Sequence, residues 1–190
     1  LAETAVELSG ELKKWHKLTL TFDGPETSET DEFNPFLNYR LNVRFTHPAT
    51  GKSYLVPGYF AADGNAASTS ADSGNKWRVH FSPDEQGAWT WQASFRKNRW
   101  VAILTRADAG VPGGFMDGQT GSFDVGPTDK QYPDFRARGR LNYVNGPYLQ
   151  FAETAEYFIK AGADAPENLL AYADFDGTFQ DDGHKDDLVK

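Results

Sequence analysis

The twenty residues from Lys76 to Phe95, KWRVHFSPDEQGAWTWQASF, decide the fold. Trp77, Val79 and Phe81 alternate with Lys76, Arg78 and His80; Trp89, Trp91, Ala93 and Phe95 then alternate with Thr90, Gln92 and Ser94. Successive side chains of a strand point to opposite faces, so each run predicts a strand with one apolar and one wet face. The link between them, Ser82-Pro83-Asp84-Glu85-Gln86-Gly87, has the composition of a tight connection. Pro presets φ, Asp bonds to nearby backbone and Gly accepts positive φ, so Asp84 and Glu85 read as turn residues rather than an acid–base pair. Trp77, Trp89 and Trp91 share the inward parity, and each brings roughly 150–250 Å² of burial, which makes them core residues rather than sugar-stacking platforms.

The same period of two extends outward. Leu18, Leu20 and Phe22 alternate with Lys17, Thr19 and Thr21, and Tyr39, Leu41, Val43 and Phe45 with Arg40, Asn42 and Arg44. Weaker strand signals cover Val6 to Leu8, Tyr54 to Phe60, Trp100 to Leu104 and Ser122 to Val125, while Pro48, Pro57 and Pro83 mark strand ends or edges. Glu26 to Glu32 and Ala66 to Gly74 are polar, small-residue stretches that read as exposed loops. Turn signals at Thr50-Gly51, Asp63-Gly64, Asp84 to Gly87 and Asp117-Gly118 separate the runs, and no strand–helix–strand alternation occurs. Residues 1–126 are therefore expected to form an antiparallel two-sheet sandwich of the immunoglobulin or fibronectin kind.

The texture changes at Gly126-Pro127. Arg140 to Val144 and Tyr148 to Phe151, joined by Asn145-Gly146-Pro147, predict a small hairpin. The apolar run Tyr157 to Ala161 predicts a strand, followed by a loop and a helix over Glu167 to Tyr172. The final stretch breaks off as the apolar pair Leu188-Val189 would open another helix, so the chain reads as cut. Residues 127–190 thus form a second region of linker, hairpin and one strand–loop–helix unit.

The 190 residues carry 19 Lys and Arg against 27 Asp and Glu, a net charge of −8, which leaves no field to gather a nucleic acid. No apolar run approaches the roughly 18 residues of a membrane span. With no Cys, disulfides, thiol nucleophiles and zinc–thiolate sites are excluded. His16, His47 and His184 have no partner at ligand spacing, and His80 reads as solvated, so no metal and no cofactor is implied. Asp174 to Gly183 is rich in Asp and Gly, yet lacks the order of an EF-hand and reads as a solvated acidic loop. Neither a G-x-S-x-G elbow nor a G-x-G-x-x-G loop occurs. LAETAVELSG at residues 1–10 has no basic and apolar leader, as in a chain that is unexported or already processed.

Four stretches in order resemble a known arrangement. They are Asn34-Pro35-Phe36; Val56-Pro57-Gly58-Tyr59-Phe60-Ala61-Ala62-Asp63-Gly64; Trp77 through Trp91; and Gly121-Ser122-Phe123-Asp124-Val125. They resemble a β-sandwich domain of unknown function that precedes a glycoside-hydrolase-like TIM barrel in bacterial polysaccharide-degrading enzymes. Ala161 to Asn168 looks like the opening strand and loop of that barrel, which makes the second region an α/β fragment. A whole barrel takes about 250 residues, so the resemblance puts the acid and base in strands that are not here. It implies a non-catalytic N-terminal accessory module, either scaffold or carbohydrate-binding, of a secreted or periplasmic enzyme. Its partners are then a polysaccharide reached through the parent enzyme and the catalytic barrel of the same chain. A stand-alone carbohydrate-binding or Ig-like adhesion domain is the alternative.

No catalytic residue is assigned. The candidate substrate-binding residues are Asp164, Glu167 and Asn168, on the loop that the resemblance places at the catalytic face, together with Trp15 and Trp100. Asp164 and Glu167 equally suit helix capping around Pro166. Trp15 lies on the opposite parity from Leu18, Leu20 and Phe22, and Trp100 follows Arg96, Lys97, Asn98 and Arg99, so either is a glycan contact or a local packing or barrel-docking residue.

Overall fold

The computed structural model of the protein describes residues 6–159. Two antiparallel sheets face each other. The first is built from β1 (Val6–Gly10), β2 (Leu18–Ser28), β5 (Tyr59–Phe60) and β6 (Ser73–Phe81), in the order β1-β2-β6-β5. The second contains β3 (Tyr39–His47), β4 (Lys52–Pro57) and β7 (Gly87–Lys97), in the order β4-β3-β7. Its far edge is shared end to end by β8 (Val111–Pro112), on Arg96 and Lys97, and β9 (Thr120–Val125), on Gly87 to Gln92. One-turn helices α1 (Pro35–Asn38) and α2 (Ala66–Thr69) sit in the connections.

The inward parity read from the sequence is the buried one. Leu18, Leu20, Phe22, Trp77, Val79 and Phe81 of the first sheet meet Leu41, Val43, Phe45, Trp89, Trp91, Ala93 and Phe95 of the second in one core. Rings interlock across the layers: Phe22 meets Trp91 edge-on at 5.7 Å, Trp77 meets Phe95 edge-on at 4.9 Å, and Phe45 stacks on Phe81 at 4.2 Å. Such pairs add roughly 0.5–1.5 kcal/mol each beyond the area they bury.

Three local expectations are corrected. Tyr54 to Phe60 is two strands in different sheets, because Pro57 has no N–H for a ladder and Gly58 lets the chain cross beside Leu41. A Cβ on Gly58 would lie 2.5 Å from the Leu41 side chain and 2.7 Å from the Arg78 carbonyl oxygen. Trp100 to Leu104 is a 3-10 turn over Val101–Ile103, entered through Trp100 at φ 65°. Glu26 to Ser28 belongs to β2: after an irregularity between Asp23 and Thr27, Thr27 and Ser28 resume pairing with Gly74 and Ser73.

In the second region a linker and a 3-10 turn over Phe135–Ala137 lead to the predicted hairpin, β10 (Leu141–Tyr143) with β11 (Leu149–Phe151), and Tyr157–Phe158 adds as β12. β12 runs antiparallel to β11, which makes the described part of the Tyr157 run the third strand of a small antiparallel sheet. The rest of that run and the expected helix lie outside the described residues. This small sheet is fastened to the main body. Trp15 Nε1 donates to Glu153 Oε1 at 3.0 Å, and Lys14 pairs with Glu153 at 2.7 Å.

Candidate functional site

The two sheets differ on their outer faces. On the first, polar side chains consume one another: Lys76 pairs with Asp23, Arg78 Nε donates to Thr21 Oγ1, and His80 bonds both Thr19 Oγ1 and Tyr59 Oη. The second presents cross-strand rows set by register. Leu55, Arg44, Gln92 and Thr120 form one row, Ser53, Thr46, Thr90 and Ser122 the next, and Asn42 faces Ser94. Asn42, Gln92 and Ser94 line a hollow of about 450 Å³, and a second hollow of about 530 Å³ adjoins it through the shared Arg44 and Gln92. From Arg40 to Thr46 the trough runs roughly 20 Å at 3.4 Å per residue.

One guanidinium builds the wall of this trough. Arg40 donates to the carbonyl oxygens of Leu104 at 2.7 Å and Ala107 at 2.9 Å, holding the 104–107 loop against the sheet. Among the described residues Asp117 is the one carboxylate lining the trough, and its Oδ1 accepts the Phe95 amide at 2.7 Å. At the floor, Gly121 lies flat on the Trp91 ring, where a Cβ would come within 2.6 Å of the indole.

The residues singled out from the sequence are not brought together. Trp15 is only 9% exposed, which removes it as an open sugar contact. Strand parity cannot see why: the chain near Gly139 and Glu153, over 120 residues away, lies across its ring. Trp100 is 52% exposed, its amide held by Asn38 Oδ1 at 2.9 Å, and it stands outside the lining of the trough. Asp164, Glu167, Asn168 and the acidic stretch from Asp174 lie outside the described residues. Periodicity does not reveal the trough, although its residues lie on the polar parity of β3 and β7.

Two clusters join the regions. Asp84, 4% exposed, accepts Tyr54 Oη at 2.6 Å and Lys52 Nζ at 3.1 Å, with Arg140 at 3.6 Å. Burial raises its pKa, but the bonds from Tyr54 and Lys52 outweigh that and hold it below the usual carboxylate range. The turn reading of this loop thus omitted its main bond, which is to a neighbouring strand. Near the start of the chain His16, 2% exposed, meets Glu11 and Asp129, the ligand-capable atoms of all three lying within 4.8 Å of one another. Sequence spacing gave His16 no partner; the fold supplies two. These groups are of the kind that holds a cation, yet Lys13 already sits 2.6 Å from Asp129, and this bond holds Asp129 down at about 2.

Compared with known proteins, residues 11–96 match the family described as "Domain of unknown function (DUF5060)". No curated protein matches the chain. Among solved structures the chain is similar to "a putative glycoside hydrolase from Bacteroides vulgatus", with 20% sequence identity and a TM-score of 0.48, over 77% of this chain and 21% of that one. The chain therefore spans a small part of that protein's length.

Proposed function

We propose that this chain is a non-catalytic accessory module of a glycoside-hydrolase-like, polysaccharide-degrading enzyme, working outside the cytoplasm where such polymers are met. The observation that carries the reading is the small sheet. Tyr143, Tyr148, Leu149, Tyr157 and Ile159 are all exposed there, and the sheet is anchored to the body through Trp15 and Asp84. An apolar surface of this kind, held in place rather than free to collapse, is suited to packing against a larger neighbouring domain. The family match over residues 11–96 and the resemblance of the sequence support the same reading.

The trough's chemistry supports the non-catalytic half. Glycoside hydrolysis in most families uses two carboxyl groups across the bond, whereas among the described residues the trough is lined by one, Asp117. Two measurements test the proposal. The 190-residue chain is expected to release no sugar from a panel of polysaccharides above a buffer blank, and turnover would overturn the non-catalytic role. The codons after Lys190 are expected to continue into a barrel-like sequence, and an immediate stop would overturn the accessory role.

A second reading, carbohydrate binding by the module itself, is favoured by the trough and by Trp100. Quenching of Trp fluorescence on adding oligosaccharides is its signature, lost in Trp100→Ala where the contact is Trp100 and kept where it is the trough, and absence of binding by titration across the panel would leave scaffolding alone.

A further inference from the structure

Arg44 stands where the two hollows of the trough meet. Its side chain is exposed and makes one long bond, 3.4 Å from Nη1 to Ser53 Oγ, and among the described residues it forms no ion pair. Other cations are spent on carboxylates: Lys13 on Asp129, Lys52 on Asp84, Lys76 on Asp23, Arg136 on Asp134 and Arg138 on Glu156. Several other cations, Lys17, Lys97 and Arg99 among them, also have no ion pair among the described residues, but of the two guanidinium groups that line the trough Arg40 is spent on backbone carbonyls and Arg44 is not. Its neighbours in the trough, Asn42, Gln92 and Ser94, are neutral donors and acceptors without a protein partner among the described residues. β3 and β7 pair continuously from Tyr39 opposite Lys97 to Thr46 opposite Thr90, so these side chains are presented by a rigid face.

We propose that this trough binds an acidic polysaccharide, with Arg44 taking the anionic group of one sugar and Asn42, Gln92 and Ser94 bonding the hydroxyls of that ring and the next. The inference rests on the carbohydrate reading above and adds the class of sugar. The planar fork of a guanidinium matches a carboxylate or sulfate oxygen pair, and charge-assisted bonds are about twice as strong as neutral ones. Hydroxyls exchange water bonds for protein bonds at small net gain, so the anion sets selectivity while the amides and Ser94 set register. Among the described residues Asp117 is the one carboxylate in the lining, and its Oδ1 is already taken by the Phe95 amide.

Isothermal titration of the 190-residue chain with tetragalacturonate, its full methyl ester, a sulfated galactan tetramer and polyglutamate tests this. The acid or the sulfated tetramer is expected to bind, whichever of the two is tighter identifying the anion, with affinity falling as salt rises. Arg44→Ala is expected to weaken that binding about tenfold, the loss of one charged bond, and Arg44→Gln to give the same loss. Both variants should keep the far-ultraviolet circular dichroism of the parent, since Arg44 is exposed. Unchanged affinity in both variants overturns the assignment, as does equal binding of polyglutamate. Equal binding of the methyl ester overturns the acidic class while leaving carbohydrate binding intact. Silence towards every sugar overturns the inference and the binding reading together, whereas the accessory role is judged separately by the codons after Lys190.

Discussion

Trp77, Trp89 and Phe95 in the two-sheet body and Tyr143, Tyr148 and Tyr157 in the small sheet are all strand or turn aromatics with opposite fates. The first three are sealed between layers, Trp77 at 2% exposure, while Tyr143 is 72% exposed. Two sheets give each other a cover; the three-stranded sheet has only Phe135 and Arg138 over its Phe151 and no second sheet. Burial here follows from the number of layers rather than from residue type. The same contrast separates stability from interaction: the body's aromatics hold it together, and those of the small sheet are left for something else to touch.

The sharpest way to break this contrast is to truncate one ring from each region. Trp77→Ala is expected to cost about 3–5 kcal/mol in urea unfolding, the usual loss for a buried large aromatic. If it cost under 1 kcal/mol, the two-layer core would be wrong. Next in size is the joint between regions. Trp15→Ala is expected to lose about 1–3 kcal/mol and, in hydrogen exchange, to deprotect residues 139–153 while β3 and β7 keep their protection. Uniform deprotection would mean that the regions are one cooperative unit.

Acid probes the second fastening. Asp84 is held below the ordinary carboxylate range in the folded protein, so its contribution is full above the unfolded value, about 3.9, and is lost as pH falls through the lowered folded one. Stability from this group should therefore hold from neutral pH down to about pH 4 and drop below it, and Asp84→Asn should flatten that acid limb; an unaltered slope would remove Asp84 from the joint. The smallest effect belongs to the surface. Tyr143→Ser is expected to change unfolding by no more than about 0.5 kcal/mol while lowering any self-association seen in sedimentation, and a loss on the scale of Trp77→Ala would place Tyr143 in a core.

What the sequence made legible was the local repeat. Parity alone put Trp77, Val79, Trp89 and Trp91 inside, and the Asn145-Gly146 turn alone marked the hairpin of β10 and β11. What it hid was contact between distant segments. Trp15 under Gly139, His16 against Asp129 and Asp84 beside Arg140 join residues that no periodicity links. The trough lies between these cases. Arg44, Asn42 and Gln92 were readable as polar parity, but that the partners of Arg78 and His80 are used up while theirs are not depends on which strands became neighbours.

The strand edges carry a consequence for handling the protein at high concentration. An open edge is a template on which another chain can add, and three of the four main edges are blunted. β5 is two residues long, β4 ends on Pro57, and the β8–β9 edge is broken between its two pieces and carries Pro112. β1 is the least guarded: among the described residues Val6–Gly10 is an outermost strand with all five residues exposed, no proline and a single charge, Glu7. Aggregation by strand addition has its entry there, and a proline or added charge on β1 is the first change to make for a better-behaved sample.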